Sequence, residues 1–290
     1  MKVVGFSFIR NAVKFQYPIV EAVKSILPLC DEVIVAVGKS EDNTRELVAA
    51  IDPKVKIIDT VWNEASREGG RVLAEETDKA FQAIPADADW CVYIQGDEVM
   101  HEDGHAAVME AMKKWKDHKE VDGLLFNYIH FFGSYEYIGA EGHWFRNEIR
   151  VVRNDKSIWS YRDAQGFRKG ENEKLRVKPV DAMIHHYGWV QNPRTMKAKF
   201  VVKDKIYNNK EGDEDNIVVA DDFPFLLVKA LHKFKGTHPK VMNERVKNIS
   251  WKFQFDVSKN KYKLKDRFKT IIEKITGHRP FEYRNYKIIR

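Results

Sequence analysis

Cysteine is nearly absent from this chain of 290 residues, which has only two. Cys30 and Cys91 stand far apart in apolar surroundings, so they read as buried free thiols rather than a disulfide or a metal site. Long hydrophobic runs are missing too. No apolar stretch approaches the roughly 20 residues of a membrane-spanning helix, and no signal peptide is visible. The N-terminus, Met1-Lys2-Val3-Val4-Gly5-Phe6, goes straight into a strand pattern. The expectation is a cytosolic protein. There is no internal repeat and no low-complexity tract.

What is present allows a sizeable core. The hydrophobic fraction is 43%, and the length suits one large domain or two small ones. The net charge of +6 hides a split. Residues 1–193 carry 25 Lys+Arg against 31 Asp+Glu, whereas residues 194–290 carry 24 against 12. A basic C-terminal third fits an anionic partner or a merely solvated basic face. No nucleic-acid-binding motif accompanies it, so none is expected to bind.

Along the first hundred residues, strand and helix patterns alternate. Val3–Ile9, Glu32–Val37, Val55–Asp59 and Trp90–Gln95 read as strands. Tyr17–Leu27, Arg45–Ile51 and Arg71–Ile84 read as helices, with Pro18 in the first turn of the first. Such alternation argues for a mostly parallel sheet with helices on both faces. The loops at the strands' carboxyl ends then converge on one edge, the default ligand site. They hold Arg10-Asn11, Gly38–Asn43, Asp59–Gly70 and Gln95–Glu98. The most telling stretch is Trp90–Met100, an apolar strand that ends in Gly96 and two acids, Asp97 and Glu98. Carboxylates delivered there suit a metal or a phosphate.

Past residue 100 the pattern changes. Asp103–Trp115 reads as helix, Gly123–Phe132 and Glu148–Arg153 as strands, and Arg194–Asn208 as helix. Lys210–Asn216 reads as an acidic loop. Leu264, Phe268, Ile271, Ile272 and Ile275 form an apolar stripe at helical spacing, with Lys and Arg opposite. His185-His186-Tyr187-Gly188-Trp189 forms a cluster whose imidazoles suit a metal or a phosphate, or an aromatic core. Phe131, Phe132, Tyr135, Tyr137, Trp144 and Trp159 suit sugar stacking or ordinary core.

Three segments together resemble glycosyltransferase family 2, the GT-A fold, and are similar to its bacterial members that act on lipopolysaccharide core sugars. They are Phe6–Asn11, Val35–Thr44 and Gln95-Gly96-Asp97-Glu98, the last in the place of the family's Asp-x-Asp motif. Val180–Trp189 is in position to supply the family's His-Tyr pair. The sequence departs from the pattern at two positions. Val37 stands where the family has an acid beside the nucleotide base, and Gln95 where it has the first acid of Asp-x-Asp.

The resemblance implies a GT-A-like, Rossmann-like α/β domain over residues 1–210, with residues 1–100 as nucleotide-binding half and 101–210 as acceptor half. A basic, mainly helical extension would follow at 211–290. It implies transfer of a sugar from a UDP-, GDP- or similar donor to a glycan or lipid-linked hydroxyl, with inversion, in cell-surface polysaccharide or lipopolysaccharide synthesis. It assigns Mn²⁺ or Mg²⁺ to Asp97 and His186, and the donor sugar to Glu98. The catalytic base is Asp163, or alternatively Glu148. Donor-nucleotide contacts fall on Ile9, Arg10, Asn11, Gly38, Lys39, Ser40, Arg67, Arg71, Gln95 and Gly96. The amphipathic C-terminal stripe would dock on the inner face of an anionic membrane, or pack on the catalytic domain. A nucleotidyltransferase and a non-catalytic nucleotide-sugar- or carbohydrate-binding relative are the alternatives. The absence of glycine from Phe6–Phe15 speaks against the first, and Val37 and Gln95 favour the second.

Overall fold

The computed structural model describes residues 1–66, 68–208, 228–262 and 283–289, with 264, 268, 269, 272, 275 and 280 besides. Strand β1 (Val3–Ile9) is followed by helix α1 (Ile19–Ile26), β2 (Glu32–Gly38), α2 (Thr44–Ala49), β3 (Val55–Thr60), α3 (Arg71–Gln82) and β4 (Trp90–Tyr93). These elements coincide with the patterns in the sequence to within a few residues at each end. β1 lies between β2 and β4, β3 flanks β2, and all three pairings are parallel. The strands are apolar throughout because both faces of this half-sheet are covered. Ile19, Ala22, Val23 and Ile26 of α1 pack with Val33, Val35 and Val37 on one face. Ala80 and Phe81 of α3 pack with Phe6, Ile34 and Tyr93 on the other. Each fully buried Val, Ile or Phe side chain among them contributes about 1.5–3 kcal/mol.

β5 (Glu98–Met100), α4 (His105–Trp115), β6 (Gly123–Phe132), β7 (Ser134–Gly139) and β8 (Asn147–Arg153) come next. β8 runs antiparallel beside β4, β6 antiparallel beside β8, and β7 antiparallel beside β6. β9 (Ile158–Ser160), β10 (Phe167–Lys169) and β11 (Glu173–Lys174) make a small separate sheet. β12 (Arg176–Trp189) is the longest strand among the described residues; it runs parallel to β6 and antiparallel to β5. α5 is Pro193–Asn208. The result is a mixed α/β fold with a large sheet in which β1 to β4 form a parallel half.

The expected domain boundary at residue 210 falls in 209–227, outside the described residues, as does the acidic loop Lys210–Asn216. From residue 228 the described chain returns to the sheet. β13 (Leu231–Lys233) pairs with β7, and β14 (Lys287–Ile288) pairs with β12. The short helix α6 (Asn243–Lys247) follows Met242, which is buried with Val99, Phe131 and Tyr187. The described part of the basic extension is therefore strand as well as helix, and it is stitched to the domain. Both cysteines are buried and free.

Candidate active site

Strand register assembles the site. His186 of β12 lies opposite Glu98 of β5 on one side and His130 of β6 on the other. Tyr187 N donates to Asp97 O at 2.8 Å, which holds the turn after β4 against β12. The Asp97 carboxylate and the His186 imidazole consequently meet, with Oδ2 and Nε2 3.6 Å apart. Lys199 of α5 adds its ammonium at 3.5 Å from the same oxygen and donates to Gly188 O at 2.7 Å. Burial alone would push the Asp97 carboxyl up, but His186 and Lys199 outweigh it and hold the group well below the usual carboxylate range. Burial pulls the Lys199 ammonium below its ordinary value, against the pull of Asp97.

Asp97, His186 and Lys199 open on a cavity of about 410 Å³, a size that suits a small-molecule ligand. Of the donor-site residues expected from sequence, Ile9, Arg10, Asn11, Gln95 and Gly96 line it. Asn11 adopts a left-handed backbone (φ 53°), and its Oδ1 accepts from Glu41 N at 2.9 Å, so the loops after β1 and β2 are locked together. Ser40 belongs to this lock, accepting from Asn11 N at 3.0 Å, and is not in the wall. Gly38 is covered by Trp62, whose indole nitrogen would lie 2.4 Å from a Cβ at that position. Lys39 is exposed away from the cavity. Arg71 points to solvent beside Glu75 at 3.6 Å. Arg67 lies outside the described residues.

Two of the expected residues are held differently. Glu98, expected at the donor sugar, reaches the cavity lining, but its carboxylate is 1% exposed and paired. Arg150 clasps it with Nη2 at 2.6 Å and Nε at 2.8 Å, Tyr128 OH donates to it, and Gln95 N donates to Oε2 at 3.1 Å. It anchors the floor of the site, because a carboxylate buried this far has to be paired. Glu148, the alternative base, is buried away from the cavity, and burial pushes its carboxyl up to about 7. Asp163 does line the cavity. Its oxygens accept from Tyr207 OH at 2.9 Å and Gln165 Nε2 at 2.9 Å.

The donor set suits a divalent ion. A carboxylate oxygen and an imidazole nitrogen 3.6 Å apart can share an ion at the usual bond lengths of about 2.0–2.2 Å. Gly188 leaves that space clear, since a Cβ there would meet Asp97 Oδ2 at 2.5 Å and His186 Nε2 at 2.6 Å. Gln95 adds no charge, and its amide nitrogen donates to Ala164 O at 2.9 Å. The described residues also bring His101, Glu102 and Asp103 together, at a distance from the cavity walls. His185 is buried against Tyr187, with Nδ1 3.2 Å from the hydroxyl.

Several wall residues had no motif to announce them. Tyr17, Trp62, Phe145, Phe200 and Tyr207 are among the cavity's aromatic residues, whereas Phe131, Phe132, Tyr135 and Tyr137 are core. Lys199, Lys203 and Tyr207 all come from α5. Their spacing of four residues on a helix was legible as one shared face.

No protein-family description matches the chain, and no curated protein does. Solved structures similar to it include S. aureus TarS 1–349 in complex with UDP, at 13% identity and a TM-score of 0.41, covering 74% of this chain and 69% of that one. Glucosyl-3-phosphoglycerate synthase from Mycobacterium tuberculosis in complex with Mn²⁺, UDP and phosphoglyceric acid matches at 16% identity and 0.30, covering 44% of this chain and 43% of that one. A 4-diphosphocytidyl-2C-methyl-D-erythritol synthase from Anaerococcus prevotii matches at 9% and 0.37, covering 66% and 91%. At these distances the functional reading has to come from the chain's own site.

Proposed function

We propose that the protein is a glycosyltransferase that moves a sugar from a nucleotide-sugar donor to an acceptor hydroxyl with inversion. One observation carries this reading. Asp97 and His186 converge on a cavity at the carboxyl end of a parallel sheet, over a glycine that keeps the space beside them empty. Arg10, Lys199 and Lys203 bring positive charge to the same walls, as a diphosphate requires. Trp62 lines the cavity with an aromatic ring, and its buried indole N–H has no hydrogen-bond partner among the described residues, which suits a nucleobase.

Asp97 and His186 would hold Mn²⁺ or Mg²⁺, which stabilises charge developing on the departing diphosphate. Lys199 adds a fixed positive charge beside it. Asp163 takes the proton of the acceptor hydroxyl at its carboxylate, with Tyr207 and Gln165 orienting the group. α5 excludes water from that side of the cavity. The acceptor is a glycan or lipid-linked hydroxyl of the cell surface. Leu264, Phe268 and Ile275 support a membrane-facing site of work. They are 83%, 59% and 78% exposed, and in a helix they fall within about 40° of one another around its axis. No described helix is long and apolar enough to cross a membrane. Vesicle flotation of the full chain against Leu264→Glu/Phe268→Glu tests this; equal recovery with anionic vesicles refutes it.

Thermal denaturation with nucleoside diphosphates and their sugar conjugates, with and without Mn²⁺, tests the main reading. A ligand at 100 times its Kd adds about 2.7 kcal/mol of stability. The expected result is a Mn²⁺-enhanced shift with one base, lost in Asp97→Asn. No shift with any nucleotide, or the same shift in Asp97→Asn, refutes it.

A further inference from the structure

We infer that His130 is a positioning residue: it fixes the tautomer of His186 so that Nε2 is the nitrogen turned toward Asp97 and available to a divalent ion. The inference rests on the reading of Asp97 and His186 as the ion-binding pair.

The two rings meet because β6 and β12 are parallel neighbours with His130 opposite His186, which puts both side chains on one face. Their Nδ1 atoms are 3.1 Å apart. The other nitrogen of His130, Nε2, lies 2.8 Å from Phe145 O. A carbonyl oxygen only accepts, so Nε2 carries the hydrogen. The His130 ring is 5% exposed and packed against Tyr128, Trp144 and Phe145, at centroid distances of 5.4, 5.1 and 4.3 Å. A second proton there would create a charge in apolar surroundings. His130 Nδ1 is therefore the bare nitrogen.

The rest follows from bookkeeping of hydrogens. A contact of 3.1 Å between two nitrogens needs one hydrogen between them, and only His186 Nδ1 can supply it. Nε2 of His186 is then the nitrogen turned toward Asp97 Oδ2, 3.6 Å away, and the proton it holds there in the cationic ring is the one a divalent ion would displace. With the opposite tautomer, His130 would turn a lone pair on the Phe145 carbonyl, and His186 would put a hydrogen where an ion has to bind. Outer hydrogen bonds of this kind commonly set which nitrogen of a ligating histidine is free.

The experiment is a Mn²⁺ titration of the full chain, followed by the electron paramagnetic resonance signal of free Mn²⁺. His130→Leu removes the acceptor, and His130→Asn keeps a carbonyl oxygen near the position of Nδ1. Expected are a loss of Mn²⁺ affinity of about 10–100-fold in His130→Leu and a clearly smaller loss in His130→Asn. Affinity equal to the starting protein in His130→Leu, or equal losses in the two variants, overturns the inference. Asp97→Asn and His186→Ala separate the two levels. If both bind Mn²⁺ undiminished, the ion-binding reading itself fails. If both lose it while His130→Leu does not, only the role of His130 falls. Histidine ¹⁵N spectra of the unmutated chain saturated with Mg²⁺ give an answer that no folding defect can obscure. A hydrogen on Nδ1 of His186 supports the inference, and a hydrogen on Nε2 overturns it.

Discussion

Gly188→Ala is the smallest change that should abolish the proposed ion site. The added Cβ would stand 2.5 Å from Asp97 Oδ2 and 2.6 Å from His186 Nε2. Both are about 1 Å inside the ~3.5 Å at which nonbonded heavy atoms rest. Neither neighbour yields easily. Asp97 is held by Tyr187 N through its carbonyl, and His186 by the contact with His130. A site of this kind tolerates displacements of about 0.5 Å, so the shift needed is about twice what it can absorb. The stability cost is modest, about 1–3 kcal/mol for overpacking, partly offset by the lower entropy of the unfolded alanine chain. At about 2–4 °C per kcal/mol, the melting temperature should fall by no more than about 12 °C. Mn²⁺ affinity, read from the free-ion resonance signal, should fall at least about tenfold, because both donors are displaced together. A folded Gly188→Ala protein that binds Mn²⁺ like the unaltered chain would refute the placement of the ion between Asp97 and His186.

Four further outcomes follow from the same geometry. Lys199→Met removes the cation that shares Asp97 Oδ2, so Mn²⁺ alone should bind more tightly, while UDP without Mn²⁺ binds more weakly; calorimetry reads both, and unchanged values refute the charge balance. Glu98→Gln leaves the Arg150 guanidinium buried without its counter-charge, so urea denaturation should show a loss of about 3–5 kcal/mol; a change near zero refutes the anchoring role. Asp163→Asn should lower kcat on the order of 10²–10⁴-fold with donor affinity unchanged in the thermal assay; retained turnover excludes it as base. Burial raises Glu148 to about 7, above its unfolded value, so the folded chain holds a proton that the unfolded chain has lost. Its contribution is present in full below about pH 4.5 and falls as pH rises to 7, by up to about 3 kcal/mol. Glu148→Gln should flatten that slope in denaturation curves taken between pH 5 and 8, and an unaltered slope refutes the assignment.

The parallel half of the fold was legible because its signals are local. Val3–Ile9 and Glu32–Gly38 are buried on both faces, so they read as unbroken apolar runs, and the helices between them carry a clear stripe. β5 is only Glu98–Met100, too short to show a period, and β12 carries Asp181 and Lys178 among its apolar residues because its pairing shifts register along β6. The contacts that make the site were readable only in part. Asp97 and His186 could be named from a strand end and a His-Tyr pair. What His130 does was invisible, because it depends on which residue of β6 faces His186. The pairing of Glu98 was hidden for a related reason: nothing near it in sequence announces Arg150, which arrives from 52 residues away.

The charges in the cavity decide what kind of ligand it favours. Two acids adjacent in sequence reach the cavity, yet Arg150 pairs with Glu98 in its lining, and Gln95 contributes an amide. Asp97 is left facing Lys199 and His186, and Asp163 faces Lys203 and Tyr207 across the same space. With Arg10 and Glu41 added, and the Arg150–Glu98 pair set aside, the walls hold three cations, Arg10, Lys199 and Lys203, against three carboxylates, Glu41, Asp97 and Asp163. A divalent ion beside Asp97 would tip that even balance toward an anionic ligand such as a diphosphate. Lys199 has to share Asp97 with it or turn toward the phosphate, and α5, which carries Lys199, Lys203 and Tyr207 on one face, is the element whose position answers to both ligands.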